Sequence, residues 1–323
     1  MRNVALIFPG QGAQKIGMGR EFYETSPQAK AIFDQAEQIC ANGLLKVMFE
    51  GPEEQLTQTA YCQPAILTMS IAALEAFKAH PKFQSIQVKF AAGLSLGEYS
   101  ALAASGTIGF ADTLRLVQKR GAFMEEAAKE ARGAMAAVIG FDKNKLTAIC
   151  QQTGAEVANF NSHEQIVITG HADRVQAAID AIKAAGNPSS AEASAGKQKV
   201  IPLTVSGAFH SSLMSSAAHK FKNVLADVAI NPTDIKVVTN VNGHPQNDAV
   251  AIRENLAKQI TASVQWVASV EYMIAQGINE FIEIGPGKVL KGLIRRINSN
   301  VTVHNIEKPA DIESIFPPPC GEG

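Results

Sequence analysis

Five consecutive apolar residues, Val4 to Phe8, end abruptly at Pro9-Gly10-Gln11-Gly12. An apolar run this short, closed by turn-forming residues, predicts a strand buried on both faces. Apolar positions then recur at helical spacing from about Arg20 to Ile39 and from about Pro64 to His80. Gln87 to Ala92 reads as a second buried strand, ending at Gly93-Leu94-Ser95-Leu96-Gly97. Alanine-rich helix follows until Gly106, and Ala111 to Glu130 is helical again. Strands alternating with helices in this way build a parallel sheet covered on both faces.

The pattern changes near Gly133. Ala134 to Gly140 reads as a strand, Lys143 to Thr153 as a helix, and Ala155 to Asn159 and Gln165 to Gly170 as two strands. Ala172 to Ala185 is helical and Lys199 to Thr204 is extended. This β-α-β-β-α-β order is the ferredoxin-like arrangement, with Gly186 to Gly196 as a loop rich in Ser, Ala and Gly inside it. Helix resumes after His210 to about Val228. A strand near Lys236 to Asn240 comes next, then helices, and a final strand at Glu280 to Ile284 closed by Gly285-Pro286-Gly287. The expected fold is α/β: a large domain with a parallel sheet (residues 1–130 and 205–310), interrupted by a small ferredoxin-like α+β domain (131–204). Residues 311–323 read as tail or linker, as if the chain were cut from a longer polypeptide. No internal repeat is visible.

Composition narrows function more than fold. With 46% hydrophobic and 18% charged residues in a chain of 323, a substantial core can be buried. A formal net charge of −1 argues against nucleic-acid binding, which goes with a basic patch or stripe. It leaves room for a local patch facing an acidic partner. Cys40, Cys62, Cys150 and Cys320 lack C-x-x-C spacing and read as reduced, incidental thiols, not as a disulfide framework or zinc site. The N-terminus is apolar too briefly for a secretory signal, and no apolar run is long enough to span a bilayer. A cytoplasmic protein without membrane contact is the expectation.

Gly93-Leu94-Ser95-Leu96-Gly97 matches G-x-S-x-G between a predicted strand and a predicted helix, the context this nucleophile motif requires. Its glycines allow a tight turn that lifts Ser95 to the carboxyl end of the sheet. There the Leu96 backbone N–H can donate to a developing oxyanion, assisted by the helix dipole. A serine hydroxyl needs a base. Of His80, His163, His171, His210, His219, His244 and His304, most lie among polar residues of surface helices or loops. His210 instead follows the strand that returns the chain to the large domain, at a junction where clefts form, and is the candidate base. No third carboxylate stands out, so a backbone or amide carbonyl is expected to orient its imidazole. Gly10-Gln11-Gly12 is followed by Gly17, off the G-x-G-x-x-G spacing, and Gly285-Pro286-Gly287-Lys288 lacks the P-loop frame. Neither supports nucleotide binding.

Four segments occur in an order that resembles the malonyl-CoA:acyl carrier protein transacylases: Phe8-Pro9-Gly10-Gln11-Gly12-Ala13-Gln14, Gly93-Leu94-Ser95-Leu96-Gly97-Glu98-Tyr99, Gln118-Lys119-Arg120-Gly121 and Gly207-Ala208-Phe209-His210-Ser211. Val264-Gln265-Trp266, Ser269-Val270 and Glu283-Ile284-Gly285-Pro286-Gly287 fit as well, so the resemblance runs from Val4 to about Ile306. It implies a large α/β-hydrolase-like domain with a smaller ferredoxin-like one. It also implies ping-pong transfer of malonyl from coenzyme A, through an ester on Ser95, to the phosphopantetheine thiol of an acyl carrier protein. By the same resemblance His210 is the general base, and the backbone N–H groups of Gln11 and Leu96 form the oxyanion hole. Arg120 binds the free malonyl carboxylate, and the Gln259 backbone carbonyl orients the histidine. Read without the family, Arg120 beside Lys119 is a solvated helix residue. Phe209 resembles the residue of malonyl-selective members, where its ring restricts an α-methyl branch. No metal or bound cofactor is implied, and a monomer is the simplest expectation. Lys197, Lys199 and Lys288 are candidate contacts to an acidic carrier protein or to coenzyme A phosphates.

One position departs from the family pattern: Leu94 stands where G-H-S-x-G is usual. That histidine is not the base, so the chemistry is expected to survive. Similar leucine variants occur in discrete acyltransferases serving modular polyketide synthases in trans, which tilts the expected setting from fatty-acid toward polyketide biosynthesis. Two rival functions compete. A proofreading hydrolase would use the same site to release acyl groups from carrier proteins, and Arg120 and Phe209 argue against it. A catalytically silent carrier-binding subunit is opposed by the presence of both Ser95 and His210.

Overall fold

The computed structural model describes residues 1–185, 198–246 and 248–316. These residues form nine strands: β1 (Arg2–Phe8), β2 (Ile86–Gly93), β3 (Gly133–Ile139), β4 (Glu156–Phe160), β5 (Gln165–His171), β6 (Lys199–Pro202), β7 (Lys236–Val238), β8 (Glu280–Ile284) and β9 (Thr302–Ile306). A parallel sheet has the order β7-β2-β1-β8-β9, and a separate antiparallel sheet the order β4-β5-β3-β6. The second order is that of the ferredoxin-like arrangement. Its two crossover helices, Lys143–Thr153 and Ala172–Ala185, bury Leu146, Val175 and Ile179 in one cluster with Val138, Ile166 and Ile168 of the sheet.

β1 sits at the middle of the parallel sheet because its apolar run serves two layers. Val4, Leu6 and Phe8 join the core beneath the helix Thr59–Lys78, while Ala5 and Ile7 join the core beneath the helix Trp266–Ala275. β2 is exposed or half-exposed from Gln87 to Lys89 and bulges at Lys89: Val4 pairs with Val88, but Ala5 pairs with Phe90. Beyond the bulge Phe90–Gly93 runs in register with Ala5–Phe8, so the two strands end level.

Several expectations change against the structure. The helix expected from Arg20 to Ile39 is two, Arg20–Thr25 and Pro27–Cys40. Ser26 between them is extended and caps the second helix with its side chain, and Pro27 opens that helix. The helix expected from Pro64 begins at Thr59, because its apolar face continues upstream through Cys62. Glu280–Ile284 is not the last strand: β9 pairs along it from Glu280↔Thr302 to Ile284↔Ile306, its signal diluted by Thr302, His304 and Asn305. The strand expected to reach Asn240 stops at Val238, leaving Asn240 in the loop above the sheet. Part of the stretch expected to be tail is folded: Ala310–Ile315 is helical, and the buried Phe316 ring stacks on His80 at 4.8 Å. Lys197, Cys320 and the expected loop from Gly186 to Gly196 lie outside the described residues. Among those described, no helix is long and apolar enough to cross a membrane, and no group of three or more His, Cys, Asp or Glu could hold a metal ion.

Candidate active site

β1 and β2 are parallel neighbours, so the loops after Phe8 and Gly93 leave the same carboxyl edge of the sheet. The space between these loops admits only glycine. A Cβ on Gly93 would overlap the Gly97 backbone, one on Gly97 would overlap the Phe8 carbonyl, and one on Gly10 would overlap the Leu94 carbonyl. The turn thus closed holds Ser95 at φ 54°, in the left-handed region that side chains seldom adopt, directly before the helix Gly97–Ser105. Gln11 and Leu96 both line the cleft beside it, and their backbone N–H groups donate to no other described residue.

Ser95 Oγ lies 2.8 Å from His210 Nε2. The other ring nitrogen, Nδ1, lies 2.9 Å from the Gln259 carbonyl oxygen and 3.2 Å from that of Ala262. Carbonyls only accept, so Nδ1 carries the proton and Nε2 is left to accept from the serine hydroxyl. Gln259 ends the helix Ala249–Gln259, where the last carbonyls have no partner inside the helix. A helix terminus thus does the orienting that a carboxylate does in a triad. Burial, and then the nearby Arg120 charge, push the His210 pKa down to about 4 against the pull of the two carbonyls, so the imidazole is neutral at pH 7.

The His210 loop is pinned to the small sheet. Thr169 Oγ1 on β5 donates to the Phe209 carbonyl at 3.0 Å, and Ser212 donates to Glu156 of β4 through its N–H at 3.0 Å and its hydroxyl at 2.7 Å. His210 itself sits at φ 58°. The serine is therefore placed by one sheet and the imidazole by the other.

Arg120 lies on the helix Phe110–Glu130 and is 1% exposed, while its neighbour Lys119 faces solvent. Gly121 brings that helix close to the helix Thr59–Lys78: a Cβ there would stand 2.9 Å from the Thr59 carbonyl oxygen. Across this contact Arg120 Nη1 donates to Gln63 Oε1 at 2.9 Å. Its Nη2 donates to both Ser95 Oγ and Gln259 Oε1 at 3.1 Å. The guanidinium carbon also lies 5.3 Å from the centre of the Tyr99 ring. Among the described residues no carboxylate pairs with this buried cation, and its Nε is buried without an acceptor.

Sequence reasoning missed three polar residues of the site: Gln63, Glu98 and Asn240. Asn240 Oδ1 accepts from the Ser95 N–H at 2.6 Å, and its Nδ2 donates to the Gly93 carbonyl at 2.7 Å. Glu98 Oε2 accepts from the Asn240 N–H at 3.0 Å and from Gln259 Nε2 at 2.7 Å. Gln259 Nε2 also donates to the Ser95 carbonyl at 3.0 Å. Burial raises the Glu98 pKa to about 7, against the hydrogen bonds from Asn240 and Gln259 and the Arg120 charge. The signal that could have found these residues is a lone polar side chain in an apolar stretch, as Gln63 is between Cys62 and Pro64-Ala65-Ile66-Leu67.

These groups meet in a cleft with about 710 Å³ of empty space, whose apolar walls include Leu94, Met124, Met135, Val167, Leu203 and Phe209. Lys199 is exposed on β6, and Lys288 lines a different cavity with Lys15 and Glu307, so neither borders the cleft. A neutral imidazole on a serine hydroxyl, two free N–H groups and a dry wall suit acyl transfer through a serine ester. The unpaired buried guanidinium suits an acyl group that carries its own carboxylate.

Comparison with known proteins agrees with this chemistry. The family model of the acyl transferase domain matches residues 5–310. The chain is 42% identical over 318 residues to a malonyl CoA-acyl carrier protein transacylase of Bacillus subtilis, covering 97% of this chain and 96% of that one. An acyl-carrier-protein S-malonyltransferase structure from Bartonella henselae superposes with a TM-score of 0.88 at 36% identity, covering 97% of this chain and 98% of that one. A malonyl-transacylase solved in complex with a type II polyketide synthase acyl-carrier protein superposes with a TM-score of 0.89 at 35% identity, covering 97% and 98%.

Proposed function

The chain belongs to the acyl transferase domain family, and we propose that it carries a malonyl group from malonyl-CoA, as an ester on Ser95, to the phosphopantetheine thiol of an acyl carrier protein in fatty-acid or polyketide biosynthesis. The observation that carries this reading is the buried Arg120 guanidinium, free of any described carboxylate yet bonded to the same hydroxyl that His210 holds.

In the first half-reaction His210 Nε2 takes the Ser95 proton as Oγ attacks the thioester carbonyl. The Gln11 and Leu96 N–H groups receive the developing oxyanion. The tetrahedral intermediate collapses, the C–S bond breaks, and the coenzyme A sulfur leaves with the proton from His210. In the second half-reaction the carrier thiol gives its proton to His210 and attacks the ester. The C–O bond to Ser95 then breaks and the serine regains the proton. Arg120 pairs with the free malonyl carboxylate throughout. That pairing offsets the positive charge that helps hold His210 near 4, so the correct substrate strengthens its own base. Phe209 narrows the cleft where an α-methyl branch would project, and the apolar walls disfavour water as the second nucleophile. Leu94 borders the cleft and makes no hydrogen bond to Ser95 or His210, so a histidine at that position is not needed for these steps.

Intact-mass analysis after mixing with malonyl-CoA tests the proposal. One malonyl adduct on Ser95 is expected, stable in buffer and discharged on adding holo acyl carrier protein. Fast loss to water alone would instead support a hydrolase.

A further inference from the structure

The geometry points to Glu98 as the positioning residue that holds nucleophile, base and carboxylate clamp in mutual register, an assignment resting on the reading above. Glu98 is 1% exposed, and a single oxygen, Oε2, receives both the Asn240 backbone N–H and Gln259 Nε2. Each of those residues passes the constraint on. Asn240 clamps the elbow on both sides of Leu94, through the Gly93 carbonyl and the Ser95 N–H. Gln259 holds the Ser95 carbonyl with Nε2, Arg120 with Oε1 and His210 with its backbone carbonyl. Ser95, His210 and Arg120 are thus each one residue removed from this carboxyl group.

The carboxyl group matters because Oε2, taking both the Asn240 N–H and Gln259 Nε2, acts only as an acceptor. A primary amide is nearly symmetric in shape, and only its neighbours decide which end is oxygen. Facing that accepting oxygen, Gln259 must turn its NH₂ toward it and its own oxygen toward Arg120, which fixes one guanidinium geometry. A glutamine at 98 has the same reach but can donate, so Gln259 could flip and present NH₂ to the Arg120 cation. The clamp and the Ser95 carbonyl contact would then both be lost. Fold stability does not require a charge here, since burying a carboxylate without a cation in contact is unfavourable.

Glu98→Gln therefore separates positioning from packing. It should fold, melt near the parent temperature and leave KM for malonyl-CoA within about 3-fold, while lowering kcat per titrated active site by about 10- to 100-fold, the scale of a sub-ångström to 1 Å misplacement. The malonyl-to-acetyl preference should fall about 10-fold, a readout that a purely structural role would leave alone. Asn240→Ala should lower kcat alike but keep the acyl preference, since it touches only the elbow. Glu98→Gln with kcat per site and acyl preference both within about 2-fold of the parent overturns the assignment. If Glu98→Gln does not fold, a parent-like kcat in Asn240→Ala overturns it equally. The parent enzyme, run alongside, keeps the two readings apart: no malonyl ester on Ser95 sinks the transferase, whereas a normal ester with an indifferent Glu98→Gln sinks only the positioning role.

Discussion

Removing the Arg120 guanidinium is the sharpest test of substrate choice. In Arg120→Ala the cation that is 1% exposed and bonded to Gln63, Ser95 and Gln259 disappears, while the Ser95–His210 pair keeps its own contacts. A malonyl carboxylate entering this site loses its only proposed partner, and breaking a buried charge pair costs about 3–5 kcal/mol. At about 1.4 kcal/mol per factor of ten, kcat/KM for malonyl-CoA should fall between about 100-fold and a few thousand-fold. Acetyl-CoA brings no carboxylate and suffers no such loss. It gains slightly, because the charge that depresses His210 is gone. The measured quantity is therefore a ratio: equimolar malonyl-CoA and acetyl-CoA compete for a few turnovers, and intact mass reads which acyl group sits on Ser95. Arg120→Lys keeps the charge but not the planar fork and should fall between parent and alanine variant. A folded Arg120→Ala enzyme with the parental malonyl-to-acetyl ratio would remove the clamp from the mechanism.

Ser95→Ala should abolish acylation by malonyl-CoA without altering the melting temperature, and an adduct that persists on another residue would relocate the nucleophile. His210 must be neutral to act, and its pKa lies below the usual 6.5, so kcat/KM should hold its plateau as pH falls past 6 and drop only on approaching about 4. The kcat midpoint should lie higher, because bound malonyl offsets Arg120; coincident midpoints near 6.5 would contradict a buried base. Phe209→Ala should raise methylmalonyl-CoA use relative to malonyl-CoA by about 10-fold or more, in line with the value of a methyl-sized pocket, and an unmoved ratio in competition assays would clear the ring of that role. Gly97→Ala drives a methyl group into the Phe8 carbonyl and should lower unfolding free energy by about 3 kcal/mol, and a parental denaturation midpoint would show that the two loops are not in contact.

What could be read from the chain alone depended on how local each signal is. The buried runs Val4–Phe8 and Phe90–Ala92, the glycine-framed serine and each single element of the β-α-β-β-α-β order announce themselves locally. Ser95 could be singled out because it sits at the end of a strand, and His210 because it lies in the loop that follows one. Gln11, Arg120, Phe209 and Gln259 came from family resemblance, since nothing in a helix beside Lys119 says that one cation faces inward. Glu98 and Asn240 escaped because their meaning lies in partners 161 and 145 positions away, a separation no local pattern encodes. β9 escaped for a simpler reason: with Thr302, His304 and Asn305 it lacks the unbroken apolar run of an inner strand.

Because the alcohol is set by one sheet and the imidazole by a loop fastened to the other, reactivity belongs to neither part alone. A parallel sheet with its glycine-framed turn in place still presents an ordinary, inert serine while the imidazole is away. Only when Thr169 and Glu156 have drawn the later loop into place, and the helix ending at Gln259 has closed behind the ring, does that alcohol become a nucleophile. A chain still being synthesised, or one opened locally by heat, would thus consume no malonyl-CoA. Loss of activity should precede loss of the parallel sheet during unfolding.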